Sequence, residues 1–412
     1  MQVDPASPAA DHGEFSELEI GDPDQQRLRA QARDYFEQLM SAELSVRLRA
    51  EDESHDNSTP ATSVRRSIGR QIGGDGWIAI GAPLEHGGTP GSFTDRIIVV
   101  QEAERAGAPF PFLTTLSILP ALARFGTEDQ RSDLIPRMIS GDLLMALGYT
   151  EPDAGTDLAS LRTRAVARDG GFVINGSKVF TSEADIADYI VVAARTDTEV
   201  PATNGISLFL VPTSAEGFGV TPLPTVGDYR TTTTYYDDVF AAPEQLLGPL
   251  NGGWHVMMSQ LNLERIAMAV RITTAASLVE DVRAALRTLR DVDSRPMLSD
   301  PAVQRQLAEA AIESIGARAL IRHHIGDGHS SSAQAASAMK VFASESAIRS
   351  TRALMQALGP IGALTPDEAT APLHGRLERT YRRALIDTFG GGANEIQREV
   401  IAGRALGLPR SR

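Results

Sequence analysis

A single glutamate interrupts an apolar helical stripe in the C-terminal half of this sequence. Met257, Leu261, Glu264, Met268 and Ile272 follow one another at the three- and four-residue intervals of one helix face. A carboxylate on such a face loses water, and desolvation raises its affinity for a proton. Glu264 is therefore a candidate general base. In the alternative interpretation the segment is rotated, and this glutamate forms an ordinary ion pair with the arginine that follows it or with a more distant one.

The residue types that other common chemistries require are absent or scattered. The sequence has no cysteine, which excludes disulfides, thiolate zinc sites and iron–sulfur clusters. It also lacks a GxxxxGK[ST] phosphate loop, a GxSxG elbow and an HExxH helix. His323, His324 and His329 are not spaced to place two imidazoles one helical turn apart, and a solvated helix end before a turn is the better interpretation. We therefore expect no metal site.

Composition and charge argue against some classes of binding partner, namely nucleic acids and membranes. The formal net charge of -14 opposes binding to a phosphate backbone, so we expect no nucleic-acid partner. No stretch approaches the roughly 20 apolar residues that span a bilayer, so we expect a soluble chain without a membrane span. The polar, acidic N-terminal segment does not resemble a secretory signal. Together with the absence of cysteine, this favours a cytoplasmic location.

The spacing of apolar residues divides the chain into four parts. Residues 1–23 are polar and acidic, and we predict that they form a disordered tail. Helical spacing runs through 24–142, for example in DQQRLRAQARDYFEQLM, and β-type runs such as ADYIVVAARTD and GISLFLVPTS occupy 143–248. Helical spacing returns in 249–412, in segments long enough for a bundle. The sequence thus predicts an α+β protein with a β-domain between two helical domains.

Two short motifs, LGYTEPDAGTD and the following KVFTS, resemble the signature of the acyl-CoA dehydrogenase family. The resemblance extends upstream to GGDGWIAIGAPLEHGGTPGSF and downstream to RLERTYRRALIDTFGGGANEIQREV, and so covers most of the chain after the tail. It implies the α+β fold of that family, with an N-terminal all-α domain, a middle β-barrel or sandwich domain and a C-terminal four-helix bundle. It also implies FAD as the cofactor.

In this family the TEPxAG[ST]D loop and the K-x-[WF]-x-[ST] strand lie against the flavin. The ring needs hydrogen-bond donors, which hydroxyls and the backbone N–H groups of a glycine-containing turn can supply at close range. An aromatic side chain at Phe180 can cover one face of the ring. On composition alone the hydroxyl residues would be ordinary turn and strand residues. The resemblance assigns FAD contacts to Tyr149, Thr150, Gly155, Thr156, Phe180, Thr181 and Ser182.

Members of this family remove a Cα proton from an acyl thioester with a glutamate at one of two positions. The first corresponds here to Gly391 of FGGGANEIQR, which has no side chain that could act as a base. The second, known from the isovaleryl and long-chain branches, lies in an LDLER-like motif, which LNLER matches here, and it falls on Glu264. The resemblance further implies that the N–H of Gly391 and a ribityl hydroxyl of FAD hydrogen-bond the thioester oxygen.

Two segments that reach the FAD of a neighbouring subunit in the family are altered here. RDVDSRPML keeps Arg290 of an R-x-x-F-G-like motif but has Asp293 and Ser294 in place of the aromatic residue and the glycine. An aspartate near a pyrophosphate would be repulsive, so Arg290 is either an FAD contact or a surface arginine. QALGPIG keeps Gln356 and Gly359 of a QxLGGxG-like loop, and both are candidate FAD contacts.

The function that we predict is FAD-dependent α,β-dehydrogenation of an acyl-CoA or acyl-carrier-protein thioester. Glu264 takes the Cα proton, flavin N5 takes the Cβ hydride, and an electron-transfer flavoprotein is the expected electron acceptor. The alternatives are a flavin-dependent oxidase or monooxygenase on the same fold and a non-catalytic subunit of a heteromeric acyl-CoA dehydrogenase. We expect a homotetramer or homodimer, with a heteromer as the second choice. The acyl group, the thiol carrier and the pathway stay open at this point.

Overall fold

The computed structural model describes residues 22–54, 62–273, 277–326, 332–368 and 370–409. The tail predicted over 1–23 lies outside these ranges except for its last two residues, and helix α1 begins at Pro23. His329 also lies outside the described residues. The chain divides into two compact units, one of Ala32–Ala267 and one of Met1–Gln31 with Met268–Arg412.

Helices α1 to α6 precede the strands. Ser92 and Thr127 cap α4 and α6 by accepting backbone N–H groups, and each forms a capping box with the side chain three residues later. In α4 the helix continues through the β-branched run IIVV, residues 97–100, which is fully buried. Burial of these side chains outweighs the strand preference of β-branched residues. The bounds are α1 Pro23–Leu39, α2 Ala42–Ser54, α3 Val64–Gly74, α4 Phe93–Arg105, α5 Leu119–Phe125 and α6 Glu128–Ile139.

Strands β1 to β8 form one mixed sheet among the described residues. Its order is β6-β7-β3-β2-β4-β5-β8, and β1 pairs in parallel with β4. β4 and β5 are buried along most of their length, which explains their continuous apolar runs. The antiparallel pair of β3 and β7 sets Lys178 opposite Thr234, and this end of β3 carries candidate flavin contacts. The bounds are β1 Met145–Gly148, β2 Arg164–Arg168, β3 Gly171–Lys178, β4 Tyr189–Arg195, β5 Ile206–Pro212, β6 Phe218–Leu223, β7 Thr231–Ala241 and β8 Leu246–Leu247.

Helices α7 to α12 follow the sheet. A buried apolar cluster joins α8, α9, α10 and α11, to which α8 contributes Val282 and Leu286 and α10 contributes Leu354 and Leu358. No described helix has both the length and the apolar character required to cross a membrane. The bounds are α7 Gly253–Thr273, α8 Ser277–Thr288, α9 Pro301–Gly326, α10 Ala333–Leu358, α11 Arg376–Ala384 and α12 Asn394–Arg404.

Candidate active site

A buried ion pair holds the turn of the TEPDAGTD motif against the end of β3. Glu151 accepts hydrogen bonds from the backbone N–H groups of Arg162 at 2.7 Å and Thr163 at 2.8 Å, and from Lys178 Nζ at 2.9 Å. Lys178 is fully buried and also donates to the carbonyl oxygen of Tyr149 at 3.1 Å. The two motifs that carry the predicted flavin contacts are therefore fixed to each other through these two side chains, to which the sequence analysis gave no role.

Burial affects the pKa values of Glu151 and Lys178 in opposite directions. Burial alone would raise the pKa of Glu151, but the Lys178 ammonium and the hydrogen bonds that Glu151 accepts lower it overall. Burial lowers the pKa of Lys178 to about 8, against the opposing effect of Glu151. At neutral pH both side chains are therefore charged, and the ion pair is intact.

Two residues shortly after β3 have left-handed backbone conformations, and one of them exposes an aromatic ring to solvent. Phe180 has φ +60° and is 60% exposed, and Glu183 has φ +62°. Such left-handed conformations cost a non-glycine residue roughly 1–2 kcal/mol. Thr181, by contrast, is fully buried, and its N–H and carbonyl oxygen are both bonded to Thr232. The side chain of Phe180 is thus exposed to solvent, whereas the backbone of Thr181 is bonded to Thr232 of β7.

The remaining candidate flavin contacts line the same two motifs. Thr150 and Ser182 are half-buried, whereas Gly155 and Thr156 are exposed. The carbonyl oxygen of Thr150 accepts from the N–H of Val179 at 2.8 Å, which ties the turn to β3 a second time. All seven candidates from the sequence, from Tyr149 to Ser182, lie in the unit of Ala32–Ala267.

These residues fit a flavin. A planar cofactor would cover the Phe180 ring, which is exposed in the structure. The hydroxyls of Thr150, Thr156 and Ser182 are at least partly accessible and can donate to ring atoms. The ion pair beneath them keeps the turn rigid, so that little ordering would be needed when the cofactor binds.

Glu264 lies on the buried face of α7. Met257, Glu264 and Met268 are buried, as the stripe predicts, while Leu261 is half-buried and the Ile272 side chain lies outside the described residues. The neighbouring Arg265 donates to Asn262 at 2.7 Å. The candidate base is therefore 9% exposed and withdrawn from most of the solvent.

A second residue on this face, Gln260, links α7 to the turn of the TEPDAGTD motif. The hydroxyl of Tyr149 donates to Oε1 of Gln260, which lies one turn before Glu264. Burial, and after it the negative charge of Glu264, hold the pKa of Tyr149 well above its ordinary value. The pKa of Tyr149 thus depends in part on the charge of Glu264. Gln260 was not predicted, although its i,i+4 spacing from Glu264 was a visible signal.

Gly391 lies in a loop that a buried lysine holds in place. Its φ is +65°, a left-handed conformation that glycine adopts without strain and a glutamate would not. Lys340 is fully buried and donates to the carbonyl oxygens of Thr388 at 3.0 Å and Gly392 at 2.8 Å, and to Asn394 Oδ1 at 2.7 Å. Sequence reasoning missed Lys340 as well.

The same loop approaches α7. A Cβ on Gly390 would lie 3.0 Å from Met268 Cε, so the backbone there packs directly against the methionine that continues the stripe. The sequence contains two lysines, Lys178 and Lys340, and each is buried where it fixes a segment that carries predicted site residues.

The two altered segments lie in the other unit, at exposed positions. Arg290 is exposed and donates to the carbonyl oxygen of Arg287. Asp293 is bonded to Arg295 at 2.8 Å, so its charge has a local partner. Gln356 is exposed near the end of α10, and Gly359 caps that helix with φ +63°. Arg290 and Gln356 are therefore accessible to a ligand or a neighbouring chain, whereas Gly359 is half-buried.

The chain matches known proteins along nearly its whole length. Family models for the N-terminal, middle and C-terminal domains of acyl-CoA dehydrogenase match residues 22–142, 146–239 and 251–406. Acyl-CoA dehydrogenase FadE26 of Mycobacterium tuberculosis is 39% identical, over 94% of this chain and 98% of its own length.

Solved structures are similar to the same extent. The ChsE4-ChsE5 complex from Mycobacterium tuberculosis matches with a TM-score of 0.87 at 38% identity, over 95% of this chain and 99% of that chain. The steroid ACAD Tcur3481-Tcur3483 also matches with a TM-score of 0.87 at 38% identity, over 96% and 100%. The chain therefore belongs to the acyl-CoA dehydrogenase family of FAD-dependent oxidoreductases, and it has the family's fold of N-terminal helices, a middle β-sheet domain and C-terminal helices.

Proposed function

We propose that this chain carries out the α,β-dehydrogenation of an acyl-CoA thioester, with Glu264 as the general base. The observation that carries the proposal is the position of Glu264: it is buried on the face of α7 that Tyr149 of the flavin-facing turn contacts. A carboxylate in such surroundings keeps a high affinity for a proton and can take one from a carbon that a thioester carbonyl activates.

The reaction removes a proton and a hydride from the substrate, and each of them needs an acceptor. The Cα proton goes to the Glu264 carboxylate, and a double bond forms between Cα and Cβ. FAD, when bound, supplies the acceptor for the hydride that leaves Cβ. The N–H of Gly391 would donate to the thioester oxygen, on which negative charge develops as the Cα–H bond breaks. Lys340 supports this role because two of its hydrogen bonds, to the carbonyl oxygens of Thr388 and Gly392, fix the backbone on both sides of Gly391.

The residues that would hold FAD come from four segments. The TEPDAGTD turn and the end of β3 would supply the contacts to the ring, with Phe180 stacked on one face. Arg290 and the end of α10 would supply contacts to the charged part of the FAD of a neighbouring subunit. In the order of the chain the proposed contacts are Tyr149, Thr150, Gly155, Thr156, Phe180, Thr181, Ser182, Arg290, Gln356 and Gly359.

The similar structures favour a substrate class and an assembly. One, Tcur3481-Tcur3483, is a steroid ACAD whose name joins two designations, and another is the ChsE4-ChsE5 complex of two differently named chains. We propose that the acyl group of this chain's substrate is attached to a steroid-type ring system, and that a second, unlike acyl-CoA dehydrogenase chain joins the assembly. A homotetramer or homodimer stays the other prediction. An electron-transfer flavoprotein is proposed as the electron acceptor.

An anaerobic titration tests the reaction. The purified protein is mixed with octanoyl-CoA, isovaleryl-CoA and a steroid side-chain acyl-CoA thioester, and the oxidised-flavin absorbance and the enoyl-CoA product are both followed. We expect one enoyl-CoA formed per flavin reduced, with the steroid thioester preferred. Reduced flavin that reoxidises rapidly in air would favour the oxidase alternative. An assembly with an unlike partner that contains FAD, and that reduces its flavin as fast with Glu264→Gln as with the wild-type chain, would favour the non-catalytic subunit.

A further inference from the structure

Residues 183–188 follow the predicted flavin contacts after β3 and contain three carboxylates, each paired with an arginine of another segment. The pairs are Glu183 with Arg65, Asp185 with Arg230, and Asp188 with Arg66. Two of these arginines lie in the first turn of α3, and all six residues belong to the unit of Ala32–Ala267. The segment after β3 is therefore tied to α3 through ion pairs.

The pair of Glu183 and Arg65 lies at a strained point of the backbone. Glu183 has φ +62°, a left-handed conformation that a residue with a Cβ adopts only at a cost in free energy. Its carbonyl oxygen accepts from the N–H of Ile186 at 3.1 Å, so the same residue opens a turn. Such a conformation persists only where the surrounding structure determines it, and it often marks a functional segment.

The Glu183 side chain is held by an ion pair more than by close packing. It borders a small cavity that Arg65, Pro109 and Leu143 also line. Arg65 lies 3.2 Å from Glu183 and, with its other terminal nitrogen, 2.7 Å from Asp52 of α2, so its guanidinium is itself fixed in place. Burial raises the pKa of the Glu183 carboxyl, and the charge of Arg65 opposes that rise. The guanidinium thus favours the charged form with which it pairs.

Ser182 lies between two fixed points of the chain. On one side, the N–H of Thr181 donates to the carbonyl oxygen of Thr232 at 3.0 Å, and the Thr232 hydroxyl donates back to the carbonyl oxygen of Thr181 at 2.7 Å. On the other side, Glu183 is paired with Arg65. Ser182 is half-buried and is one of the proposed FAD contacts. The direction of its hydroxyl therefore depends on both fixed points.

We propose that Arg65 is a positioning residue for the cofactor: by pairing with Glu183 it keeps that residue in the left-handed conformation, and so holds the Ser182 hydroxyl where it can hydrogen-bond FAD. The inference rests on the proposed function, in which Ser182 contacts FAD. It adds a residue of α3, outside both flavin motifs, to those on which cofactor binding depends. Arg65 acts through Glu183 and needs no contact of its own with FAD.

Titration of the apoprotein with FAD tests the inference. In Arg65→Met we expect the dissociation constant to rise roughly three- to tenfold, the effect of one hydrogen bond. Glu183→Gln removes the same ion pair while Arg65 keeps Asp52, and it should show a loss of the same size. Arg70→Met is the matched control, because this arginine lies on the same helix, is 43% exposed and is 3.7 Å from Asp142. It should bind FAD like the wild type.

Replacing Glu183 with glycine separates the backbone conformation from the charge. Glycine adopts a left-handed φ without the Cβ penalty, so Glu183→Gly should bind FAD within about twofold of the wild type although it too lacks the carboxylate. The glycine should also restore FAD binding to Arg65→Met, whereas Glu183→Gln should not. A general loss of stability would not be repaired in this way, because glycine increases the conformational entropy of the unfolded chain.

A double-mutant cycle with Ser182→Ala identifies the residue through which Arg65 acts. Once that hydroxyl is absent, Arg65→Met should weaken FAD binding further by less than about twofold. Additive losses in the double variant, or a Glu183→Gly variant that binds FAD as weakly as Glu183→Gln, would overturn the inference. Should Arg65→Met not fold, the comparison of Glu183→Gln with Glu183→Gly decides alone.

The outcomes separate this inference from the proposed function. Weak FAD binding by Ser182→Ala, together with wild-type binding by Arg65→Met and Glu183→Gln, would refute the role of Arg65 alone. Wild-type FAD binding by Ser182→Ala would refute the proposed flavin contact and the inference with it. The assignment of the base is tested independently, by flavin reduction in Glu264→Gln.

Discussion

Replacing Lys178 with methionine removes the cation that holds the TEPDAGTD turn, for which we propose flavin contacts, against the end of β3. Lys178 is fully buried, and it contacts Glu151 at 2.9 Å and the carbonyl oxygen of Tyr149 at 3.1 Å. Methionine fills much of the same space but leaves the Glu151 carboxylate with its backbone donors alone. Removing one partner of a buried ion pair costs about 3–5 kcal/mol, because the remaining charge stays buried without compensation. We expect a loss of this size in the free energy of unfolding and weaker retention of FAD.

The loss of stability in Lys178→Met should become larger as the pH rises above 8. The pKa of Lys178 is lowered to about 8 by burial, from 10.5 in an unfolded chain. Between these values the unfolded state binds the proton more tightly than the folded state, so the stability of the wild type rises with pH in this window. Lys178→Met has no such group, and the gap between wild type and variant should widen from pH 8 to 10.5.

Urea unfolding at several pH values measures both effects. Tryptophan fluorescence reports the protein, and release of FAD absorbance reports the cofactor. Arg168→Met is a matched control, because this cation is 69% exposed and should change stability by less than about 0.5 kcal/mol. A Lys178→Met variant as stable as the control, or a stability gap that does not change from pH 8 to 10.5, would refute the reasoning.

Two other replacements probe neighbouring parts of the site. Phe180→Ala should leave the unfolding free energy nearly unchanged, since the ring is 60% exposed, but should weaken FAD binding about three- to tenfold by loss of stacking, as measured by cofactor titration of the apoprotein. Equal FAD affinity would place the ring away from the cofactor. Lys340→Met should slow flavin reduction on the order of a hundredfold by loosening the backbone around Gly391, while the acid limb set by Glu264 stays in place. A shifted acid limb would show that the lysine acts on the base instead.

Much of the molecule could be predicted from the sequence. The family, the α+β fold, the enzyme class and the FAD cofactor are confirmed by the family models and the similar proteins. These properties follow from ordered motifs and from apolar periodicity, both of which are local in the chain. The stripe around Glu264 is an example, since helical spacing alone placed Met257, Glu264 and Met268 on a buried face.

The contacts that support the site could not be predicted in the same way. Glu151 and Lys178 were both visible within the motifs, but their bond depends on how β3 and the turn come together across 27 residues. Tyr149 and Gln260 are 111 residues apart, so their contact is a property of the packed structure. Lys340 did leave a signal, because it is one of two lysines in the sequence and lies in an alanine-rich helix.

The ion pairing in the altered segment around Arg290 also could not be predicted from the sequence. The sequence suggested that Asp293 would repel a pyrophosphate, yet in the structure Asp293 bonds Arg295, and Asp291 accepts from the backbone N–H groups of residues 293 and 295. Pairing within a turn cannot be inferred from charge counts, because it depends on the backbone conformation at Ser294, where φ is +62°. The FAD contacts of Arg290, Gln356 and Gly359 stay predictions.

The central claim is that Glu264 removes the Cα proton, and rapid anaerobic flavin reduction by the preferred thioester tests it most directly. Wild type, Glu264→Gln and Glu309→Gln are compared, the last being a surface glutamate on α9 that is 55% exposed. Loss of a general base lowers rates about 10²- to 10⁴-fold, so we predict a loss of this size in Glu264→Gln with normal FAD content and a wild-type rate in Glu309→Gln. Reduction of Glu264→Gln at the wild-type rate would contradict the account.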